Sequence, residues 1–260
     1  LISIPRDLWV ELAPSGYGRI NAAYSRGGIR GDGSVDEEKG AEFAKGKIEE
    51  ILGIPIHYWV VVDFGGFREV IDSLEGVEVC VERTFDDYLY PVSGKERAAL
   101  SQRYEHLHFE AGCQLMDGET ALKYSRSRTG TNQEGSDFAR VRRQQNVLLA
   151  LKDRVLSLNL LFDAQKIISL YQRLAESQKT NASLGEAQKA LELAGKFSAP
   201  GESEVRSLVL DPDSGLVYHP SNPAPYGGAY VLVPTAGNFE KIHAAVRGLL
   251  FAAEEEEGEE

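Results

Sequence analysis

The sequence predicts an α/β fold in which helices cover a central sheet, and three observations predict it. Short β-rich runs alternate with amphipathic runs of helical period along most of the chain. Residues 56–64 (IHYWVVVDF) form a continuous apolar run dense in β-branched and aromatic residues, the pattern of a strand buried on both faces. Val77, Val79 and Val81 alternate with polar residues, the pattern of a half-buried strand. At 260 residues and 42% hydrophobic composition, the chain is long and apolar enough to bury a sizeable core. Residues 1–250 are read as a single domain, and 251–260 as an acidic, disordered tail.

Taken in order, residues 1–12 read as a strand, broken by Pro14, Ser15, Gly16 and Gly18. Asp36 to Leu52 reads as a helix, with Phe43, Ile48, Ile51 and Leu52 on its apolar side and Gly53 as its stop. After the 56–64 strand, residues 67–74 form a short helix ending before Gly76, and 76–85 form the alternating strand. Residues 86–108 read as a polar excursion without strong periodicity. Asp117-Gly118 marks a turn, followed by a short helix that runs into a basic stretch. Residues 129–137 (TGTNQEGSD) have the composition of a flexible loop. Phe138 to about Leu158 is the strongest helix. Asp137 is placed to cap it, and Phe138, Val141, Gln145, Leu148, Leu149, Leu151 and Val155 mark one side. Helical segments follow near 161–176 and 183–196, then a β-rich run at 204–210. A Pro- and Gly-rich loop (212–228), a strand at 229–234 and a last helix complete the chain.

The formal net charge of −12 opposes a generic nucleic-acid binder, which needs a basic footprint. Removing the six glutamates of the tail leaves −6, and the rest is uneven. Between Lys123 and Arg143 stand six cations against Glu134 and Asp137, a net +4 over 21 residues that suggests a local anion site. Two cysteines, Cys80 and Cys113, make neither a disulfide framework nor a zinc site; they read as buried free thiols or as a single bridge. No GxSxG, HExxH or Walker A pattern is present. His57, His106, His108, His219 and His243 form no persuasive metal-ligand grouping.

Five places invite a functional reading, of which the fifth, Gly65, Gly66 and Gly76 within residues 64–79, carries no phosphate-loop pattern and reads as architecture. Arg6 and Asp7 follow a strand, where open α/β sheets place ligands, although a surface salt bridge has the same signature. Arg19 and Asn21 lie in a turn region, where an asparagine often serves only nearby backbone. Arg126 and Arg128, if extended, point two guanidinium groups to one side and suit two adjacent phosphates. On the following helix Arg140 and Gln144 share a face, as do Asp137 and Arg140. Cations in a first turn oppose the helix dipole, a choice that makes sense if a bound anion neutralises them.

In sequence, the blocks SIPRDLWV, GRINAAYSRGG, GIPIHYWVVVDFGGFREVIDSLEGVEV, FEAGCQLMDGETALKYSRSR and SDFARVRRQQNVLLAL resemble the LytR-CpsA-Psr family of cell-envelope glycopolymer transferases. The resemblance covers about residues 1–158, with YVLVP (230–234) like the closing strand; residues 159–228 match less clearly. It implies a three-layer α/β/α sandwich with a central mixed sheet, and a polyprenyl pyrophosphate-linked glycan as substrate. It also implies a hydrophobic tunnel for the lipid, and peptidoglycan or another wall acceptor outside the cytoplasmic membrane. A polyprenyl pyrophosphate phosphatase, or a non-catalytic lipid-pyrophosphate-binding module, would use the same anion site. Carried over, Arg6, Arg126, Arg128, Arg140 and Gln144 are the pyrophosphate-binding set, with Arg19 and Asn21 beside them on the substrate. Asp137 orients an arginine or accepts a proton, and Arg128, Arg140 and Asp137 are the catalytic candidates. The family uses a divalent metal, usually magnesium. Its carboxylate ligands lie in a segment before the SIPRD strand, so those ligands, like a membrane anchor, are expected upstream of Leu1.

Overall fold

A computed structural model of the chain describes residues 1–12, 16–157, 179–196 and 206–251. The turn expected at Pro14–Ser15, the helical segment near 161–176 and the tail from residue 252 lie outside the described residues. The fold is α/β. It divides into two compact units, Leu1–Trp59 with Glu204–Glu260, and Val60–Ser203.

The first unit opens with β1 (Ile2–Ser3) and β2 (Trp9–Glu11), so the single strand expected over 1–12 is two short ones. They are separated by a turn at Pro5, whose carbonyl accepts the Leu8 N–H. β2 pairs antiparallel with β3 (Tyr17–Arg19). Next come α1 (Ala23–Gly28) and α2 (Glu37–Leu52). α2 begins where the sequence places it, because the Asp36 carboxylate accepts the Lys39 N–H at 3.1 Å. It stops at Gly53, whose φ of 70° is a left-handed conformation that suits glycine.

The second unit begins with β4 (Val60–Val61), all that the expected 56–64 strand supplies. Tyr58, Val60 and Val62 are exposed rather than buried on both faces. An apolar run does not say what will cover it, and this one pairs at only two positions. α3 (Phe64–Ser73) and β5 (Val77–Val81) follow, the latter with the alternation read from its valines. Residues 86–108 are not an excursion but most of a hairpin, β6 (Phe85–Pro91) and β7 (Tyr104–Phe109), with the short α4 (Leu100–Arg103) before the second strand. The alternation was hidden because the inward position after Phe85 is Asp87, and the register shifts between Asp87 and Tyr90.

β8 (Gly112–Met116) pairs antiparallel with β5 and sets Cys113 opposite Cys80, and the two form a disulfide. Both cysteines are exposed, so of the two readings left open by the sequence the single bridge holds and the buried free thiols do not. α5 (Gly118–Arg126) is capped by Asp117, which accepts the Thr120 N–H at 2.8 Å. A Cβ at Gly118 would stand 2.4 Å from the Arg68 carbonyl oxygen, so glycine lets α5 lie against α3.

α6 (Asp137–Ser157) is capped by Ser136, not Asp137: Ser136 Oγ accepts the Ala139 N–H at 3.0 Å. Its buried stripe is Ala139, Arg143, Val147 and Ala150, while Leu148 is exposed. β9 (Lys179–Thr180), which pairs with β4, and α7 (Leu184–Lys196) close the unit. Its core gathers Ile71, Val77, Val79, Phe85, Phe109, Met116, Tyr124 and Val147.

The chain then returns to the first unit with β10 (Leu208–Val209), β11 (Val217–Tyr218), β12 (Val233–Pro234) and α8 (Glu240–Phe251). β10 pairs parallel with β1, and β11 antiparallel with β12. Leu8, Val10, Ile51, Leu210, Leu232, Ile242 and Val246 form this unit's core.

Candidate functional site

In the second unit the cations of the 123–143 stretch sort into an outer and an inner set. Arg128 and Arg140 form the outer set: Arg128 Nη2 lies 3.2 Å from Asp137 Oδ1, and Arg140 Nη1 lies 3.0 Å from the same oxygen. Asp137 is the first residue of α6, so its carboxylate stands at the positive end of the helix dipole. Arg140 is its i+3 neighbour on that helix, as the spacing predicts. Gln144, one turn further on and exposed, donates from Nε2 to the Ser125 carbonyl at 3.4 Å.

Arg126 stands apart from the expected arrangement. α5 continues through it, and the chain extends only from Ser127 (φ −51°, ψ 136°), so period-two alternation does not relate Arg126 to Arg128. Its guanidinium instead lies 4.0 Å from the Phe64 ring centroid and donates to the Tyr90 hydroxyl at 3.4 Å. Burial pushes the Tyr90 phenol up, so it stays a neutral partner for that cation.

The inner set is Arg143, which sequence reasoning did not single out. It is 1% exposed and donates to the carbonyls of Tyr124 (2.9 Å), Ser127 (2.5 Å) and Glu134 (2.9 Å), and to Glu134 Oε2 at 2.6 Å. Arg142 takes the other Glu134 oxygen at 2.6 Å. The 129–136 segment, read as a flexible loop, is therefore tied inward through Glu134. Its left-handed Asn132 and Gln133 turn the chain to reach that position. The signal was available, since Arg143 falls at helical spacing with Ala139, Val147 and Ala150.

Asp87 is the other residue missed. It is buried beneath the same segment and accepts from Ser127 Oγ at 2.6 Å and from Thr129 Oγ1 at 2.5 Å. Burial raises its carboxyl's pKa, but the hydrogen bonds from Ser127, Thr129 and Leu89 outweigh this and hold it below the usual range.

The first unit holds the remaining candidates. Asp7 Oδ1 accepts from Arg19 Nη1 at 3.2 Å, with Arg6 Nε 3.8 Å away. Arg6 and Arg19 thus meet on a nearly buried carboxylate, and the Asn21 N–H donates to the Arg6 carbonyl at 3.2 Å. The side chain of Asn21 is exposed.

Among the described residues no group of three or more His, Cys, Asp or Glu side chains could hold a metal ion. His106 and His108 both bond Asp86 Oδ1, at 2.7 and 2.9 Å. No helix among the described residues is long and apolar enough to cross a membrane.

Over 250 residues the chain is 31% identical to the polyisoprenyl-teichoic acid–peptidoglycan teichoic acid transferase TagV of Bacillus subtilis (strain 168), covering 95% of this chain and 54% of TagV. It is 27% identical over 208 residues to the enzyme of the same description, TagU, of Enterococcus faecalis, covering 79% of this chain and 57% of that one. The chain thus spans about half the length of the curated relatives it matches. The crystal structure of B. subtilis TagV superposes with a TM-score of 0.63 at 26% identity, covering 96% of this chain and 82% of that structure. The family match itself runs over residues 1–242. The chain belongs to the LytR-CpsA-Psr (LytR_cpsA_psr) family.

Proposed function

We propose that this chain carries out glycopolymer transfer, moving a glycan from a polyprenyl pyrophosphate carrier to peptidoglycan or another wall acceptor through a phosphodiester bond. The acceptor hydroxyl oxygen attacks the glycan-proximal phosphorus and forms the new P–O bond. The P–O bond to the bridging oxygen breaks, and lipid phosphate leaves. The hydroxyl proton goes to a carboxylate, for which Asp137 is the candidate. Charge grows on the phosphoryl and leaving oxygens, and pre-placed guanidinium groups stabilise it.

The observation that carries this reading is the meeting of Arg128 and Arg140 on one oxygen of Asp137 at the start of α6. That trio is already arranged around an anion, and pyrophosphate oxygens suit the same planar donors. The relatives TagV and TagU, both described as teichoic acid transferases, support the same chemistry. An oxidising location outside the cytoplasmic membrane suits the Cys80–Cys113 bridge.

The test uses the full protein with a labelled lipid-linked donor and peptidoglycan. Arg128→Ala and Arg140→Ala should each lower transfer by about a hundred- to a thousand-fold while the fold survives. Wild-type transfer by both variants would overturn the assignment. Label released as soluble glycan phosphate rather than entering the wall polymer would replace transfer with hydrolysis.

A further inference from the structure

Asp87 is a buried carboxylate that the transfer chemistry does not itself require. It lies on β6 and is 1% exposed, between Phe85 and the Tyr90 that meets Arg126. One oxygen, Oδ2, accepts from Ser127 Oγ at 2.6 Å, the Arg128 N–H at 3.3 Å and the Thr129 N–H at 3.4 Å. The other, Oδ1, accepts from Thr129 Oγ1 at 2.5 Å and the Leu89 N–H at 2.9 Å. Three consecutive residues thus donate to one side chain, and the middle one is Arg128.

Burying a carboxylate is unfavourable by several kcal/mol unless donors surround it, and an apolar residue would fill this core position more simply. What a carboxylate offers is acceptor capacity on both oxygens with no donor of its own. An amide there would keep a single acceptor oxygen and turn an NH2 group toward N–H and O–H donors. The Ser127 carbonyl in turn accepts from Arg143 Nη2. Arg128 therefore leaves a backbone bonded to both Asp87 and Arg143, while its side chain remains more than half exposed beside Asp137.

We propose that Asp87 is a positioning residue of the transfer reaction: by gathering Ser127, Arg128 and Thr129 onto one buried carboxylate, it fixes the backbone from which Arg128 reaches the pyrophosphate. This rests on the reading of Arg128 given above. Asp87 anchors the root of that side chain and Asp137 anchors its tip. A long, many-rotor side chain held at both ends presents its fork in one place, and a misplacement of about 1 Å in such a group costs roughly a hundred-fold in rate.

The experiment is a double-mutant cycle on transfer by the full protein: wild type, Asp87→Asn, Arg128→Lys and the double variant. Lysine keeps a cation but loses the planar fork, so a measurable residual rate is expected. Asp87→Asn should lower kcat by about ten- to a hundred-fold in the wild-type background, with much less effect on KM. In the Arg128→Lys background the same change should lower kcat by no more than about three-fold, because the geometry it protects is already gone. Equal losses in both backgrounds would mean that Asp87 serves the fold alone, and would overturn the proposal. Should Asp87→Asn fail to fold, Thr129→Val and Ser127→Ala each withdraw a hydroxyl donor from Asp87 and run through the same cycle with the same two outcomes. Wild-type turnover by both Arg128→Lys and Arg128→Ala would instead overturn the reading of the site, and this proposal with it.

Discussion

Arg140 and Arg143 lie three residues apart on one helix and do opposite things. Arg143 is sealed in the core, its fork taken up by three carbonyls and Glu134, which is itself 3% exposed. Desolvation lowers its pKa and the Glu134 partner opposes that, yet a guanidinium stays charged throughout. Arg140, with Arg128, shares a carboxylate that is 41% exposed. The inner pair cannot give up its anion, because without Glu134 the buried Arg143 guanidinium would keep no anionic partner. The outer trio can, because its carboxylate and Arg128 are open to water and an incoming anion, although the Arg140 side chain is only 11% exposed. Burial of the shared carboxylate, rather than residue type, separates the structural arginine from the ligand-ready ones.

The contrast is tested most severely by removing the inner cation. Arg143→Ala should destabilise the protein by about 3–5 kcal/mol, read as a fall in the urea midpoint, because Glu134 Oε2 and the buried Tyr124, Ser127 and Glu134 carbonyls lose their donor together, leaving Glu134 with Arg142 alone. Arg128→Ala, which removes an exposed ion pair, should shift stability by less than about 1 kcal/mol. Similar stability losses in the two variants would erase the distinction. A large loss of transfer in Arg128→Ala at near-native stability would sharpen it.

Acid titration probes the same division more gently. Asp87 is held below the ordinary carboxylate pKa of about 3.9 by its donors. Its contribution is therefore fully present above the unfolded-state value, and is lost as pH falls from there through the folded-state value. Stability measured below about pH 4 should fall less steeply with acid in Asp87→Asn than in the wild type. An unchanged slope would mean that Asp87 does not carry that proton linkage.

Much of this was legible in the residues. Asp36 and Gly53 bound α2 as their chemistry dictates, and the Val77, Val79 and Val81 alternation is the observed burial of β5. The basic stretch from 123 to 143 does hold the outer trio. Two of the larger misses share a cause: charged residues in buried positions. Asp87 occupies an inward strand position and so disguised the β6–β7 hairpin as a polar excursion. Arg143 occupies an inward helix position, and a reader who reserves that face for apolar side chains assigns Phe138, Val141 and Leu148 to it instead. Nor does sequence order reveal that a loop as polar as 129–136 is drawn inward by its one glutamate.

A small effect is predicted at the seam between the two sets. Ser136 precedes α6 and accepts the Ala139 N–H, so it holds the helical turn that carries Asp137 and Arg140. Ser136→Ala should lower stability by about 1 kcal/mol, read as a modest fall in Tm, while Ser136→Asp should restore most of it. The inner set is anchored three residues further along, by contacts that the cap does not touch, so the loss should stay at that size. A drop approaching that of Arg143→Ala would show that the first turn of α6 and the buried pair melt as one unit. The outer trio would then depend on the core for its order, rather than on a local cap that the core merely supports.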